Sequence, residues 1–463
     1  MNKEADSSRQ GPAPRDKNRK KRTWWIALAI VAALAVIGLA LYQVPAIHDR
    51  AYYHLTTLRS RIYYTFRPPE ESEFQPSGDS TLDLSALAAT ASPTPTIQLA
   101  TGTAQQETPQ PTATLQPTAV ATPLPEAVYL EGIKQEYQRF NSCGPTNLAF
   151  ALRYWGWVGD PIDIEAVLKP RLEDRNVTPV EMMTYIQDHT ELGAVLRYNG
   201  NIELLKRFVA AGFPVLVERG YVNRDDGWMG HYGVIDGYDD SVVLGGKYDN
   251  VIGLSETPGA VHIPDSFNGN IWVTYDSLQS YWDEFSGIYL VVFPKDRESE
   301  VMTLLGPDAD PEFNLNQAIS TVSARLESVE QSQRYFTLYS LGELLVLKQD
   351  YANAAAAFDE AFSVYGYLPP EDRPWRMLWY QVGPYEAYYQ MGRYDDVVSL
   401  AYKTITDTPQ PALPETFLWS DRANVALGNT STAIFDFKRA LQWHPGWPPA
   451  VQELEALGVD PQS

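Results

Sequence analysis

Residues 137–156 read YQRFNSCGPTNLAFALRYWG, and Cys143 within them is the only cysteine among 463 residues. Gly144-Pro145-Thr146 follow it, and then Leu148, Ala149, Leu152 and Trp155 recur at helical spacing. Proline is favoured in a first helical turn, where its missing N–H is no loss, so the pattern predicts that Cys143 opens a helix. Unpaired N–H groups and the helix dipole at such a position favour a thiolate, the nucleophilic form of the side chain. A free cysteine can also be simply a small buried hydrophobe. The neighbouring Gln138 and the Gly-Pro pair favour the reactive reading.

Two further stretches extend the pattern. One is a glycine-rich run, Gly230-His231-Tyr232-Gly233-Val234-Ile235-Asp236-Gly237-Tyr238-Asp239-Asp240; the other is Asp265-Ser266-Phe267-Asn268-Gly269. Taken in order with the cysteine segment, these resemble the C39-like branch of the papain-type cysteine peptidases over roughly residues 128–297. The resemblance implies an α+β papain-like fold with Cys143 as nucleophile and His231 as general base. It also implies Asp265 as the residue that orients the histidine and Gln138 as an oxyanion donor. Asp249, in Lys247-Tyr248-Asp249-Asn250, competes with Asp265 because it follows the next strand directly. His262 is the alternative base, but it lacks the Gly-His-Tyr context. The segment Gly245 to Pro264 is an insertion relative to the family pattern, and it either lines the cleft or forms a surface loop.

The residues around these motifs predict helices beginning near Pro161 and Thr178, and a short strand at 194–198. A helix at Ile202–Ala211 follows, then strands at Phe213–Glu218, His231–Tyr238, Ser241–Leu244 and Ile288–Phe293. Helices first and an antiparallel sheet afterwards is an α+β arrangement.

Composition bounds the rest. Forty-four per cent hydrophobic and 12% aromatic residues are ample for more than one buried core. Basic residues dominate the first 23 positions, yet the whole chain carries a net charge of −22. So acidic a remainder argues against nucleic-acid binding, which needs a basic footprint. The six histidines are scattered and no second cysteine exists, so neither a metal nor another cofactor is expected.

Trp24 to Tyr42 reads WWIALAIVAALAVIGLALY, uncharged and aromatic at both ends. Its length approaches the ~20 residues that cross a hydrocarbon core. The apolar run is too long for a signal peptide, and Gln43-Val44-Pro45-Ala46 is a poor cleavage site. We therefore expect a basic cytoplasmic tail at 1–23, a single-pass membrane anchor at 24–43 and a juxtamembrane helix at 44–69. A Pro/Thr/Ser-rich disordered linker is expected at 70–126 and the peptidase-like domain at 127–297, outside the cytoplasm.

From 298 to 463 the pattern becomes all-α. Ala354, Phe358 and Ala361 form a small-aromatic-small set, repeated as Ala433, Phe437 and Ala440, with a degenerate copy near Val397, Ala401 and Thr404. This resembles tetratricopeptide-like helical repeats, which bind peptides or proteins. A helical cap packed on the preceding domain is the equal alternative.

The function expected is that of a membrane-anchored, extracytoplasmic cysteine peptidase acting on a peptide or protein substrate, its repeats recruiting substrate or a protein partner. A catalytically silent scaffold of the same fold, or another thiol-dependent amidase or acyl transferase, would carry much of the same pattern.

Overall fold

The computed structural model of the chain describes residues 17–78, 82, 123–223, 227–246, 248, 250–253 and 257–461. Asp249 and nearly all of the expected linker beyond residue 78 lie outside the described residues. The chain divides into two compact units, Met1–Ile62 and Tyr63–Ser463. The first holds helix α1, Lys17–Tyr42, and most of α2, Pro45–Phe66. Within α1, Trp24–Tyr42 is long and apolar enough to cross a membrane, and large apolar side chains from Trp24 to Leu41 are exposed.

The second unit opens with a docked segment rather than a linker. Phe74 is buried against Phe362, with ring centroids 5.0 Å apart, and lies 6.2 Å from Tyr388. Glu73 pairs with Arg373 at 2.7 Å, and the Ser77 backbone N–H and hydroxyl donate to Asp396. Residues 70–78 are therefore fixed to the C-terminal helices, which corrects the expected start of the linker. Composition misleads here because a single aromatic, one ion pair and the hydrogen bonds of Ser77 are enough to hold an otherwise polar stretch.

A mixed α+β region follows. Strand β1 (Ala127–Tyr129) precedes helices α3 (Cys143–Tyr154), α4 (Pro161–Leu168) and α5 (Pro179–His189). Asp160 and Thr178 cap α4 and α5 with full capping boxes, their partners being Asp163 and Glu181. Next come β2 (Leu192–Arg197), α6 (Ile202–Ala210), β3 (Val215–Asn223), β4 (Gly227–Ile235) and β5 (Gly237–Asp239). The region ends with β6 (Val251–Ile252), β7 (Ala260–Asp265), β8 (Gly269–Thr274), α7 (Tyr275–Asp283) and β9 (Tyr289–Pro294).

The strands form two sheets. One has the order β2-β9-β3-β4 and the other β1-β5-β7-β8-β6. All described pairs are antiparallel except β6 with β8. The chain leaves the first sheet for the second at Asp236, so the single strand expected over His231–Tyr238 is two. Strand alternation then sorts the side chains. Leu216, Val234, Leu290 and Val292 pack on Leu148, Leu152, Met182 and Ile186 of the helices. Val215, Val217, Ile235 and Val291 face Val261, Ile263 and Val273 of the second sheet.

The strand expected at Ser241–Leu244 is a turn. The Asp239 carboxylate accepts from the Ser241 backbone N–H at 2.8 Å and from its hydroxyl at 2.6 Å, which bends the chain out of the sheet. The end of the inserted segment Gly245 to Pro264 is strand β7, which forms a hairpin with β8.

The remaining described elements are helical: α8 (Glu298–Leu305), α9 (Pro311–Arg325), α10 (Gln331–Leu347), α11 (Tyr351–Tyr367) and α12 (Gly383–Gln390). After them come α13 (Tyr394–Thr406), α14 (Pro414–Ala426), α15 (Thr430–Trp443) and α16 (Pro448–Ala456). From α10 onward each helix packs on the next, an arrangement consistent with a repeat domain. Ala354, Phe358, Ala361, Ala433, Phe437 and Ala440 are all fully buried. Gly342 lets α10 approach Phe358, since a Cβ there would lie 2.5 Å from the ring.

These helices share a core with the α+β region: Trp228, Phe285 and Ile288 belong to the same cluster as Phe336, Leu341 and Tyr388. Truncating Phe74 to alanine should cost about 3–5 kcal/mol, seen as a lowered urea midpoint. It should also expose the 69–78 segment to limited proteolysis before the rest of the unit is cut.

Candidate active site

Cys143 is the first residue of α3, preceded by the fully buried Ser142 and by Asn141 in the left-handed region at φ 53°. That turn is pinned by Lys169, whose ammonium donates to the Phe140 carbonyl at 3.2 Å and the Asn141 carbonyl at 2.8 Å. Burial pushes the Lys169 pKa down to about 8, against the pull of Asp174, Glu165 and Cys143. Gly144 allows the Tyr232 ring to lie against the helix start, 3.5 Å from where a Cβ would sit. The half-buried thiol thus meets β4 at the residue after His231.

His231 is 5% exposed, and its Nε2 lies 3.0 Å from Asp265 Oδ2. The imidazole also interacts with the Cys143 thiol, and with Nε2 facing Asp265 its Nδ1 is the ring nitrogen left over for sulfur. The order is therefore thiol, imidazole, carboxylate.

Asp265 is fully buried and richly partnered. Its Oδ1 accepts from the Phe267 and Asn268 backbone N–H groups, each at 2.8 Å, and from Asn268 Nδ2 at 3.2 Å. Arg219 donates to Oδ2 at 3.4 Å. Burial opposes ionisation, but His231, Arg219 and the Asn268 N–H hold the carboxyl well below the usual range. Burial likewise opposes a charge on His231, yet Asp265 and then Cys143 push its pKa up to about 9. For Cys143, burial disfavours the thiolate, but it is outweighed by the bond and charge of His231, the Tyr232 backbone N–H and Lys169. The thiol therefore ionises below its ordinary value. A thiolate–imidazolium pair is the form these forces favour at neutral pH.

Gln138 is tied to the same loop. Its backbone N–H donates to the Ser266 carbonyl at 2.9 Å, and its Oε1 accepts from the Ser266 hydroxyl at 2.7 Å. With Oε1 committed, the amide NH2 is the end left to donate. Asn147, fully buried one turn into α3, has three acceptors for its two amide hydrogens: the Cys143 carbonyl at 2.9 Å, Ser266 Oγ at 3.0 Å and the Tyr232 carbonyl at 3.1 Å. It ties the cysteine helix to both the histidine strand and the aspartate loop.

All four expected residues, Cys143, His231, Asp265 and Gln138, thus meet in one place. His262 does not join them. It lies on β7 with the opposite parity to Asp265, and its Nδ1 is bound to Asp236 Oδ1 at 2.6 Å. Sequence reasoning passed over Arg219 and Asn147. For Arg219 a signal existed, since Glu218-Arg219 interrupts the apolar run Val215-Leu216-Val217 of a strand buried on both faces.

The helical region reaches the same neighbourhood. Tyr380 packs on Gly230, where a Cβ would lie 2.9 Å from its ring, and Arg376 donates to the Trp228 carbonyl at 3.1 Å. Arg175 lies over Trp379 at 4.7 Å and donates to the Gln410 carbonyl at 3.0 Å. Among the described residues no group of three or more metal-ligating side chains gathers.

No protein-family model matches the chain, and no curated protein does. A solved structure described as a C39-like peptidase from Bacillus anthracis is similar over 36% of this chain and 98% of its own length, at 16% identity and a TM-score of 0.28.

The pKa shifts fix the pH dependence of stability. His231 holds its proton in the folded state to about pH 9, so its contribution is complete below its ordinary value of 6.5 and is lost as pH rises through about 9. Asp265, held low, contributes above the ordinary carboxylate range and loses its contribution on acidification. Urea midpoints measured across pH should fall on both sides of neutrality, and His231→Ala should flatten the alkaline side.

Proposed function

We propose that this chain is a thiol-dependent hydrolase of peptide bonds. The observation that carries the reading is the continuous chain from Cys143 through His231 to a carboxylate, Asp265, that four donors besides the histidine hold in its charged form. Such an aspartate keeps Nε2–H committed, leaving Nδ1 to exchange its proton with sulfur. Cys143 Sγ attacks the substrate carbonyl carbon, and the oxygen that gains negative charge is met by the Gln138 amide and the Cys143 backbone N–H. His231 then gives its proton to the leaving amine, and water, deprotonated by the same imidazole, releases the acyl group.

The apolar helix Trp24–Tyr42, preceded by a basic cluster, supports an anchor with the catalytic region outside the cytoplasm by the positive-inside rule. The C-terminal helices act as tetratricopeptide-like repeats that bind substrate or a protein partner. A silent scaffold is the weaker reading, because a binding surface has no need of a buried aspartate held charged against its histidine.

Alkylation of Cys143 in the full-length protein should proceed well below the pH at which an ordinary thiol reacts, and His231→Ala should move the midpoint upward. Fluorogenic peptide hydrolysis should vanish in Cys143→Ala. In Gln138→Ala, kcat should fall by ~10²–10³-fold while alkylation is kept. An ordinary thiol pKa, unchanged in His231→Ala, would sink the proposal. Rapid alkylation with hydrolysis of simple amides or acyl esters, but of no peptide, would instead assign the site to another acyl transfer.

A further inference from the structure

Helix α2 carries its apolar side outward. Ile47, Leu55, Leu58, Ile62 and Phe66 follow one another at intervals of 8, 3, 4 and 4 residues, which gathers them within about 100° of arc on the helix. All five are between 41% and 81% exposed. The opposite side is the covered one: Thr56 is buried, and Tyr52, Ser60 and Tyr63 are half-buried. A helix that packs on a protein core shows the reverse order. The last turn of α2 belongs to the second unit and is bound there. The Tyr63 hydroxyl donates to the Thr406 carbonyl at 2.7 Å, and the Tyr64 ring lies 5.3 Å from that of Trp375. Phe66, in the same turn, is still the most exposed residue of the stripe.

Two observations say what covers the stripe. The first is continuity. Only Gln43 and Val44 separate α2 from α1, whose Trp24–Tyr42 segment is of membrane length. With that segment across a bilayer, α2 starts at the membrane surface by covalent necessity. The second is charge. By helical position Arg50 and Arg61 border the stripe on one side and Arg59 on the other, and all three are exposed. The one carboxylate of the helix, Asp49, lies toward the covered side and pairs with His48 at 3.2 Å. This basic helix belongs to a chain whose net charge is −22. An apolar stripe edged by arginines matches an anionic lipid surface, in which the apolar face sinks by about 5–10 Å while long cationic side chains reach the headgroups. A second copy of α2 matches it less well, because pairing two stripes would bring the bordering arginines of both helices together.

We propose that α2 is an interfacial helix lying in the surface of an anionic bilayer, with Ile47, Leu55, Leu58, Ile62 and Phe66 among the acyl chains and its arginines at headgroup level. The proposal rests on Trp24–Tyr42 being the anchor. It also changes what joins the membrane to the thiol site. The Pro/Thr-rich stretch begins beyond Ser77, held by Asp396, and ends before Ala127, paired with Asp239 on β5, so both of its ends are in the second unit. The connection from the anchor to the docked residues 69–78 is then a surface-bound helix and not the Pro/Thr-rich stretch.

Full-length protein in a Cys143→Ala background, reconstituted in vesicles of phosphatidylcholine with phosphatidylglycerol or of phosphatidylcholine alone, tests it. An environment-sensitive fluorophore is attached through Leu58→Cys on the stripe, Ser60→Cys on the covered side or Ala33→Cys within α1. In the anionic vesicles the label at position 58 should be quenched by shallow doxyl lipids and shielded from iodide, and the label at position 60 should not be quenched by lipid. Arg50→Gln, Arg59→Gln and Arg61→Gln should each lower the surface-bound to unbound ratio of the helix by about fivefold. A label at position 58 that iodide reaches overturns the proposal. So does one shielded from iodide without lipid quenching, since a protein surface would then cover the stripe. Lipid quenching that is equal in the two kinds of vesicle and unmoved by the arginine variants overturns the assignment to an anionic surface. Loss of deep-lipid quenching at position 33 removes the anchor and this proposal with it, whereas quenching at 33 without quenching at 58 removes the proposal alone.

Discussion

A carboxylate with no exposure to water has to be charged for this fold to hold together. Taking Asp265 out of solvent costs several kcal/mol, and the surrounding chain is arranged to offset it. Two backbone N–H groups and an amide from the loop after β7 bind one oxygen, while His231 and Arg219, neighbours in register on β4 and β3, bind the other. The carboxylate therefore joins the two sheets at their open end. Losing either cation would leave an under-compensated charge in the interior, the case in which a buried pair matters most. The same charge raises the proton affinity of His231, and through it lowers that of the Cys143 thiol.

That arrangement depends on where the chain changes sheets. The strand carrying His231 ends at Ile235, and Gly237 starts a new strand in the other sheet, so Asp236 sits at the hinge with its backbone N–H on the His262 carbonyl and its side chain on the His262 ring. Without the switch, His231 would have no second sheet to face. With it, β7 lies opposite β4 and presents Asp265 inward. His262, three residues earlier, must by alternation point outward. Two His–Asp pairs so arise on opposite sides of one strand, and only the inward one has a thiol beside it.

Local signals carried the start of the site. Pro145, the caps at Asp160 and Thr178 and the position of Cys143 at a helix start are written within a few residues of one another, and the fold has them where the sequence puts them. Arg219 and Asn147 were less legible, because their roles depend on partners 46 and up to 119 residues away. The turn at Ser241 defeated periodicity because an aspartate side chain outcompetes the sheet for the backbone. The docked stretch at 70–78 has no periodicity to read; Phe74 and Glu73 gain meaning only from Phe362 and Arg373.

The C-terminal helices are bound to the α+β region by a continuous core rather than a hinge. Trp228 stacks on Phe285 at 6.0 Å and packs on Phe336 of α10, and the Ser340 hydroxyl donates toward the Asp283 and Glu284 carbonyls that end α7. Trp228 and Gly230 lie on the strand that presents His231, and Tyr380 rests on Gly230 itself. Removing the helices would open Trp228, Phe285 and Ile288 to water and take the support from behind the histidine strand. An apolar surface shared in this way is a structural commitment. Only the faces that this core leaves over are open to a partner, and through Phe336 and Tyr380 both α10 and the 375–381 turn pack directly on the strand that carries the imidazole.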